Sequence, residues 1–215
     1  MYLRLRIMLC VRSLKMDNRV KIGPLPLLIV ALTYYLTDTR TFFAFLMPAA
    51  AHEMGHLAAL STFSLRVKGI RLDMKGLCIE YSGHAEAIKH ALAAAAGPLA
   101  GLVYAALSAW VAGKTHSQWA ELSAGISLAL SAFNMLPAMP LDGGRVLMEC
   151  CCGLFGTRTG EMITRIISTA VGAVMLFAGI YAMYNGYGAA LEVAAIWILL
   201  SQSDKLGIVK PREIM

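Results

Sequence analysis

The sequence predicts an all-α polytopic membrane protein, with about six transmembrane helices and a small membrane-associated β-sheet between the second and third. Three observations carry this reading. Apolar residues make up 58% of the 215 and charged residues only 15%, with a mean hydropathy of +0.64, whereas soluble domains carry about 25% charged residues. Apolar stretches recur along the chain between short polar turns. Residues 64–83 depart from that pattern and alternate with period two. The whole of 1–215 reads as a single domain, with no internal repeat or low-complexity stretch.

Taken in order, residues 1–22 carry Arg4, Arg6, Arg12, Lys15, Arg19 and Lys21 against Asp17. A first apolar span runs from about Pro24 to Leu36, short for a full crossing without flanking residues. It reads as an uncleaved helix and not a signal peptide, because the small-residue region Ala49–Ala51 abuts His52. Thr37-Asp38-Thr39-Arg40 forms a tight polar turn, and the second span runs from Thr41 to about Leu60. Between 64 and 83, Leu65, Val67, Ile70, Leu72, Met74, Leu77, Ile79 and Tyr81 alternate with charged residues and are punctuated by Gly69, Gly76 and Gly83. That predicts two or three short strands, whose edge is either open to an extended peptide or simply plugs the bundle.

The third span, about Lys89 to Ala112, is alanine-rich and contains Gly97-Pro98-Leu99-Ala100-Gly101, small residues that let helices approach closely in lipid. After a polar loop at Lys114–Gln118, the fourth span runs from about Trp119 to Leu136. It breaks at Asn134-Met135-Leu136-Pro137-Ala138-Met139-Pro140-Leu141-Asp142-Gly143-Gly144-Arg145. Broken backbone at membrane depth is tolerated only where it is buried in protein or lines a cavity. A fifth span covers about Met162 to Tyr184, a sixth about Ala189 to Leu200, and a short polar tail follows.

The net charge of +6 does not point to nucleic acid, because the basic residues fall between apolar spans and not along one face. They fix an orientation instead. With the N-terminus inside, Arg4–Lys21, Arg66–Lys89, Arg158, Arg165 and Lys205–Arg212 lie on the cytoplasmic side, and only Arg40 and Lys114 lie outside. Both termini are therefore expected in the cytoplasm. Tyr34, Tyr35, Trp110, Trp119, Tyr181, Tyr184 and Tyr187 gather at the outer ends as an aromatic belt. Cys10, Cys78, Cys150, Cys151 and Cys152 form no convincing disulfide framework. The Cys150–Cys152 run suits small apolar packing better than acylation.

The chemistry lies in Ala51-His52-Glu53-Met54-Gly55-His56-Leu57. On a helix, His52 and His56 stand one turn apart on one face. Two imidazoles so placed can hold one zinc ion, and Glu53 beside them can take a proton from water held there. The motif sits within an apolar segment, where ionisable residues point to function. Asp142, in the proline-rich break, needs a partner, and the only unmatched cation expected nearby is a metal on His52 and His56. Polar residues satisfied by packing, a metal-ion transporter and a catalytically silent adaptor are the alternatives. A transporter has no need of Glu53, often shows repeated halves, and an adaptor has no use for Glu53 at all.

His52-Glu53-Met54-Gly55-His56, Gly97-Pro98 and Asn134-x-x-Pro137-x-x-Pro140-Leu141-Asp142-Gly143-Gly144, in that order, resemble the site-2 protease family of intramembrane zinc metalloproteases. The match covers roughly residues 20–200, and the Asn-x-x-Pro-x-x-Pro-Leu-Asp-Gly form is similar to the subgroup typified by stage IV sporulation protein FB. The resemblance implies a zinc ion held by His52, His56 and Asp142, with Glu53 as the catalytic base. It implies that Asn134, Pro137, Pro140 and Gly143 shape the substrate channel. It further implies regulated proteolysis of a membrane protein substrate, such as a sporulation sigma-factor precursor, in the bacterial cell or forespore membrane, under a membrane-protein regulator. The PDZ domain that many members carry in a loop is not found, nor is the CBS domain that typically follows in the sporulation protein.

Overall fold

The computed structural model describes residues 20–22, 24–63, 66–73, 76–82, 87–186 and 189–203. The basic run Arg4–Arg19, Cys10, Leu65, Met74, Lys75, Gly83, Tyr187 and the tail from Asp204 lie outside the described residues. After strand β1 (Val20–Ile22), helix α1 (Pro24–Leu36) opens on a proline, whose fixed φ suits a first helical position. Helix α2 (Thr39–Thr62) starts one polar turn later, at the N-cap residue Asp38. The Asp38 carboxylate accepts the Thr41 amide at 3.0 Å and also the Thr41 hydroxyl. These two bonds, the hydroxyl first, hold its carboxyl below the usual carboxylate range. Tyr34 packs edge-on against Phe42 across the turn, with ring centroids 5.2 Å apart.

Strands β2 (Arg66–Asp73) and β3 (Gly76–Ser82) follow α2 and pair antiparallel, from Arg66↔Ser82 to Asp73↔Gly76, with an irregularity between Val67 and Gly69. β1 joins the other side of β2 in parallel, Val20 opposite Ile70, so the strand order is β1-β2-β3.

Five helices follow the sheet: α3 (Ala87–Thr115), α4 (Gln118–Asn134), α5 (Asp142–Phe155), α6 (Thr157–Tyr184) and α7 (Ala190–Ser203). Antiparallel packing of α2 on α3 follows from glycine: a Cβ on Gly55 would lie 2.5 Å from the Ala96 carbonyl oxygen. α3 and α4 meet along a seam of small polar groups. Ser127 donates to the Gly101 carbonyl, Ser108 to that of Ala120, and Tyr104 bonds Ser123. Ser123, Ser127 and Ser131 recur every fourth residue and are all fully buried. In lipid, where apolar burial between helices gains little, close backbone approach and hydrogen bonds of this kind hold helices together. Large apolar side chains face outward instead, among them Leu107, Trp110, Val174 and Phe177, the last 74% exposed. A second core lies between α6, α7 and the segment before α5, formed by Ala138, Leu141, Met175, Ala195 and Ile198.

The expectation of about six transmembrane helices does not hold. Among the described residues there are seven α-helices, and two of them, Ala87–Thr115 and Thr157–Tyr184, are long and apolar enough to cross a membrane. A crossing needs about 20 residues, while α1 has 13, α4 has 17, and α5 and α7 have 14 each. α2 has the length, at 24 residues, but Arg40, His52, Glu53 and His56 dilute its apolar character. The sequence reading also passed over α5 and assigned β1 to a basic leader.

Close packing of α3 on α4 yields a stability test. A side chain at Gly101 would meet the Ser131 Oγ at 2.2 Å, whereas a Cβ at Gly113 meets nothing within 4 Å. Gly101→Val should destabilise the fold by about 1–3 kcal/mol through overpacking, and Gly113→Val should leave the unfolding midpoint in detergent near that of the parent.

Candidate metal centre

The helical repeat of α2 turns His52 and His56 the same way, towards the interior, with relative exposures of 5% and 8%. Their Nε2 atoms lie 3.3 Å apart, and the rings stand nearly perpendicular, at 80°. His56 is fixed from α3: its Nδ1–H donates to the Ala93 carbonyl at 2.8 Å. That bond leaves Nε2 as the nitrogen with a free lone pair, facing the centre. Gly97 makes the placement possible, since a Cβ there would sit 2.2 Å from His56 Nε2. The Gly97-Pro98 element thus acquires a concrete reason.

Asp142 arrives from the far side of the bundle. α4 ends at Asn134, and the chain turns tightly through Met135–Leu141 before α5 begins at Asp142 itself. Two short bonds hold the turn, Ala138 N–H to Leu136 O at 2.7 Å and Leu141 N–H to Ala138 O at 2.9 Å. Gly143 and Gly144 let the first turn of α5 lie directly on this backbone. Added Cβ atoms would come within 2.2 Å of Met135 O and 2.4 Å of Ala138 C. The carboxylate is thereby delivered to the imidazoles, with its Oδ2 3.1 Å from His52 Nε2 and 3.2 Å from His56 Nε2.

One ligand atom from each of His52, His56 and Asp142 lies within 4.8 Å of the other two. Two imidazole nitrogens and one carboxylate oxygen, buried and converging, make the donor set of a catalytic zinc site with a fourth position open. The back-side bond to Ala93 is the kind of support that metal-ligating histidines ordinarily have. His52 Nδ1 is buried without a partner.

Glu53 lies half-buried next to His52, with His56, His52, Asp142 and Arg145 as its electrostatic neighbours. Arg145 corrects one step of the sequence reasoning. A metal is not the only cation within reach of Asp142, because Arg145 Nη1 stands 3.7 Å from its Oδ1, three residues on along α5. The i, i+3 spacing from a helix start was the signal that could have revealed it. Asn134 is half-buried and turned back into its own helix, where Nδ2 donates to Leu130 O at 3.0 Å. Pro137 is exposed, Pro140 half-buried and Gly143 buried against the turn. Cys151 is buried and Cys150 exposed, and both are free thiols, as is Cys152.

The fold and centre define a class, a mainly helical protein with two helices long and apolar enough to cross a membrane and a buried cluster of three residues that could hold a metal ion. The family model for peptidase family M50 matches residues 112–179, from the end of α3 through the turn and Asp142 into α6. Stage IV sporulation protein FB of Bacillus subtilis is 29% identical over 134 residues, covering 60% of this chain and 46% of the relative. A Synechocystis sp. protein, sll0528, carries zinc metalloprotease in its name and is 28% identical over 158 residues, 70% of this chain and 40% of the relative. The chain thus spans less than half the length of the curated relatives it matches. In three dimensions it shares the fold of the site-2 protease from Methanocaldococcus jannaschii. The TM-score is 0.67 at 18% identity, over 94% of this chain and 98% of that one. The chain is therefore similar to the site-2 proteases, in sequence across residues 112–179 and in fold.

Gly97 gives the sharpest check on the geometry. Gly97→Ala forces a methyl group into the His56 ring and should weaken zinc binding by at least ~10-fold, as loss of support behind a ligand does. Competition with a chromophoric chelator measures this, and affinity equal to that of the parent would mean that His56 does not need its present position.

Proposed function

We propose that the chain is an intramembrane zinc metalloprotease of the site-2 type, cleaving a transmembrane or membrane-associated protein. The convergence of His52, His56 and Asp142, with Glu53 adjoining, carries the proposal. His52 Nε2, His56 Nε2 and Asp142 Oδ2 would hold the ion. When bound, zinc supplies a Lewis acid that polarises the scissile carbonyl and makes water acidic enough to attack near neutral pH. Glu53 accepts the proton of the attacking water and then delivers it to the leaving amine. The Ala93 carbonyl keeps the His56 proton on Nδ1 throughout, so Nε2 does not turn away.

A transmembrane helix must unwind before its peptide bonds can be reached, because its backbone is already hydrogen-bonded and covered. We assign Asn134, Pro137, Pro140 and Gly143 to the wall that receives the unwound segment. Asn134, Pro137 and Pro140 line the turn between α4 and α5, while Gly143 sets how close α5 comes to it. The sheet supports the same role, since an edge strand can pair with an extended peptide. A bacterial cell or forespore membrane as the location and a sigma-factor precursor as the substrate class belong to this reading, with which the sporulation name of one relative agrees. A membrane-protein regulator belongs to the same reading. We take 1–215 as one protease domain, multi-pass, with both termini on the cytoplasmic side, as the division of basic residues suggests.

Two experiments test this. Glu53→Gln is nearly isosteric but cannot accept a proton, so it should keep its zinc and lose cleavage by ~10²-fold or more. Asp142→Ala should lose both. Metal content and cleavage of a co-expressed membrane substrate, read on the same preparations, decide it, and zinc loss in Glu53→Gln would remove the base assignment. For topology, reporter fusions on either side of α3, at Lys75 and Lys114, should report opposite sides of the membrane, with Lys75 and the C-terminus cytoplasmic. A cytoplasmic signal at Lys114 overturns the orientation.

A further inference from the structure

Three residues before Asp142, the backbone of a single residue draws polar side chains from two other helices. The amide of Met139 donates to Ser168 Oγ in α6 at 2.9 Å. Its carbonyl accepts Gln202 Nε2 at 2.7 Å and Ser201 Oγ at 3.1 Å, both from the last turn of α7. Ser168 is fully buried and passes its own proton to the Thr164 carbonyl at 2.7 Å. Gln202 is 7% exposed.

The pairing of α6 with α7 does not require these groups. It is made by Gly172 against Leu199, by Gly179 against Glu192, and by the apolar contacts around Ile198. Burying a glutamine amide and a serine hydroxyl is unfavourable unless they are bonded, and here both bond to the backbone of one residue, on either side of its Cα. From Met139 to Asp142 the backbone has little freedom. Leu141 is tied to Ala138, and Gly144 lies within 2.4–2.6 Å of Ala138 and Met139 backbone atoms, measured from where a Cβ would stand. A shift of the Met139 backbone is therefore passed to the start of α5 and to the carboxylate.

We infer that Ser168 and Gln202, assisted by Ser201, are positioning residues for Asp142, clamping the Met139 backbone on both sides of its Cα so that the carboxylate meets both imidazoles. This rests on the metal-site reading above. Ser168→Ala removes the acceptor, and Gln202→Met keeps the length but removes the donor. Gly179→Ala serves as a control that disturbs the α6–α7 pairing at Glu192, away from the clamp. Two quantities are measured on the full chain in detergent: zinc affinity by chelator competition, and amide hydrogen exchange of the peptide spanning Ala138–Gly143. Each clamp variant should bind zinc ~10-fold more weakly, the size typical of lost support behind a metal ligand, and exchange its turn amides faster. The double variant should be no worse than about the poorer single, because both act through the backbone of one residue. Gly179→Ala should lower the unfolding midpoint and leave zinc affinity within ~2-fold of the parent, below the ~10-fold loss expected for lost ligand support. Unchanged affinity and exchange in both clamp variants would overturn the inference, as would an equal loss of zinc in Gly179→Ala. If the parent itself binds no zinc, the metal reading fails and exchange alone judges the clamp. Faster exchange in both clamp variants but not in Gly179→Ala supports it, and unchanged exchange rejects it.

Discussion

The hydrogen bond from His56 Nδ1 to the Ala93 carbonyl is the constraint on which the centre depends. It is unusual in its demand, because a carbonyl in the middle of a helix is normally committed to the amide four residues on and must here accept a second donor. The two helices have to be almost in contact for the imidazole to reach it, at 2.8 Å. Gly55 supplies that contact on α2 and Gly97 on α3, and each would clash with the opposite helix if it carried a Cβ. The small residues of α3 are therefore part of the site's construction. They decide which imidazole nitrogen faces inward, and so whether a metal finds a lone pair or a proton.

A second constraint concerns how a carboxylate reaches the same point from a different helix. An unbroken α4 would carry its polar groups past the histidines at fixed intervals. Interrupting it at Met135–Leu141 lets α5 begin afresh, with Asp142 as its first residue. The interruption frees backbone amides and carbonyls that must be satisfied within the protein. Part of that demand is met inside the turn and part by Ser168, Ser201 and Gln202. Helices α6 and α7, which carry none of His52, His56 and Asp142, thus support the turn through side-chain bonds to its backbone.

What was legible in the sequence follows the range of the interaction. The facing of His52 and His56 is local, set by a repeat of 3.6 residues, and the four-residue spacing announced it. The break before Asp142 was visible because proline and glycine act locally too. Pairings between distant segments were not visible: Ala93 with His56, and Met139 with Ser168 and Gln202, leave no periodic trace. β1 was missed because three residues in a basic leader give too little alternation to detect. α5 was missed because its three glycines and consecutive cysteines do not read as an apolar span. The count of crossings failed for a related reason. Apolar stretches signal burial as readily as passage through lipid, and several helices here are shorter than a bilayer is thick.

Arg145 raises the question of whether Asp142 is already neutralised and so has no need of a metal. The geometry argues against this, because the two carboxylate oxygens face different partners. Oδ2 is turned to both histidines at 3.1 and 3.2 Å, while Oδ1 is turned to Arg145 at 3.7 Å. The arginine side chain is 44% exposed, and a pair so open to solvent is worth no more than about 1 kcal/mol. That is too little to offset the cost of holding a carboxylate against two imidazoles in the interior. Arg145 faces the other carboxylate oxygen, while Oδ2 is the one turned to the histidines. A single carboxylate oxygen beside two imidazole nitrogens gives three ligands, which is the number that leaves zinc a position for chemistry.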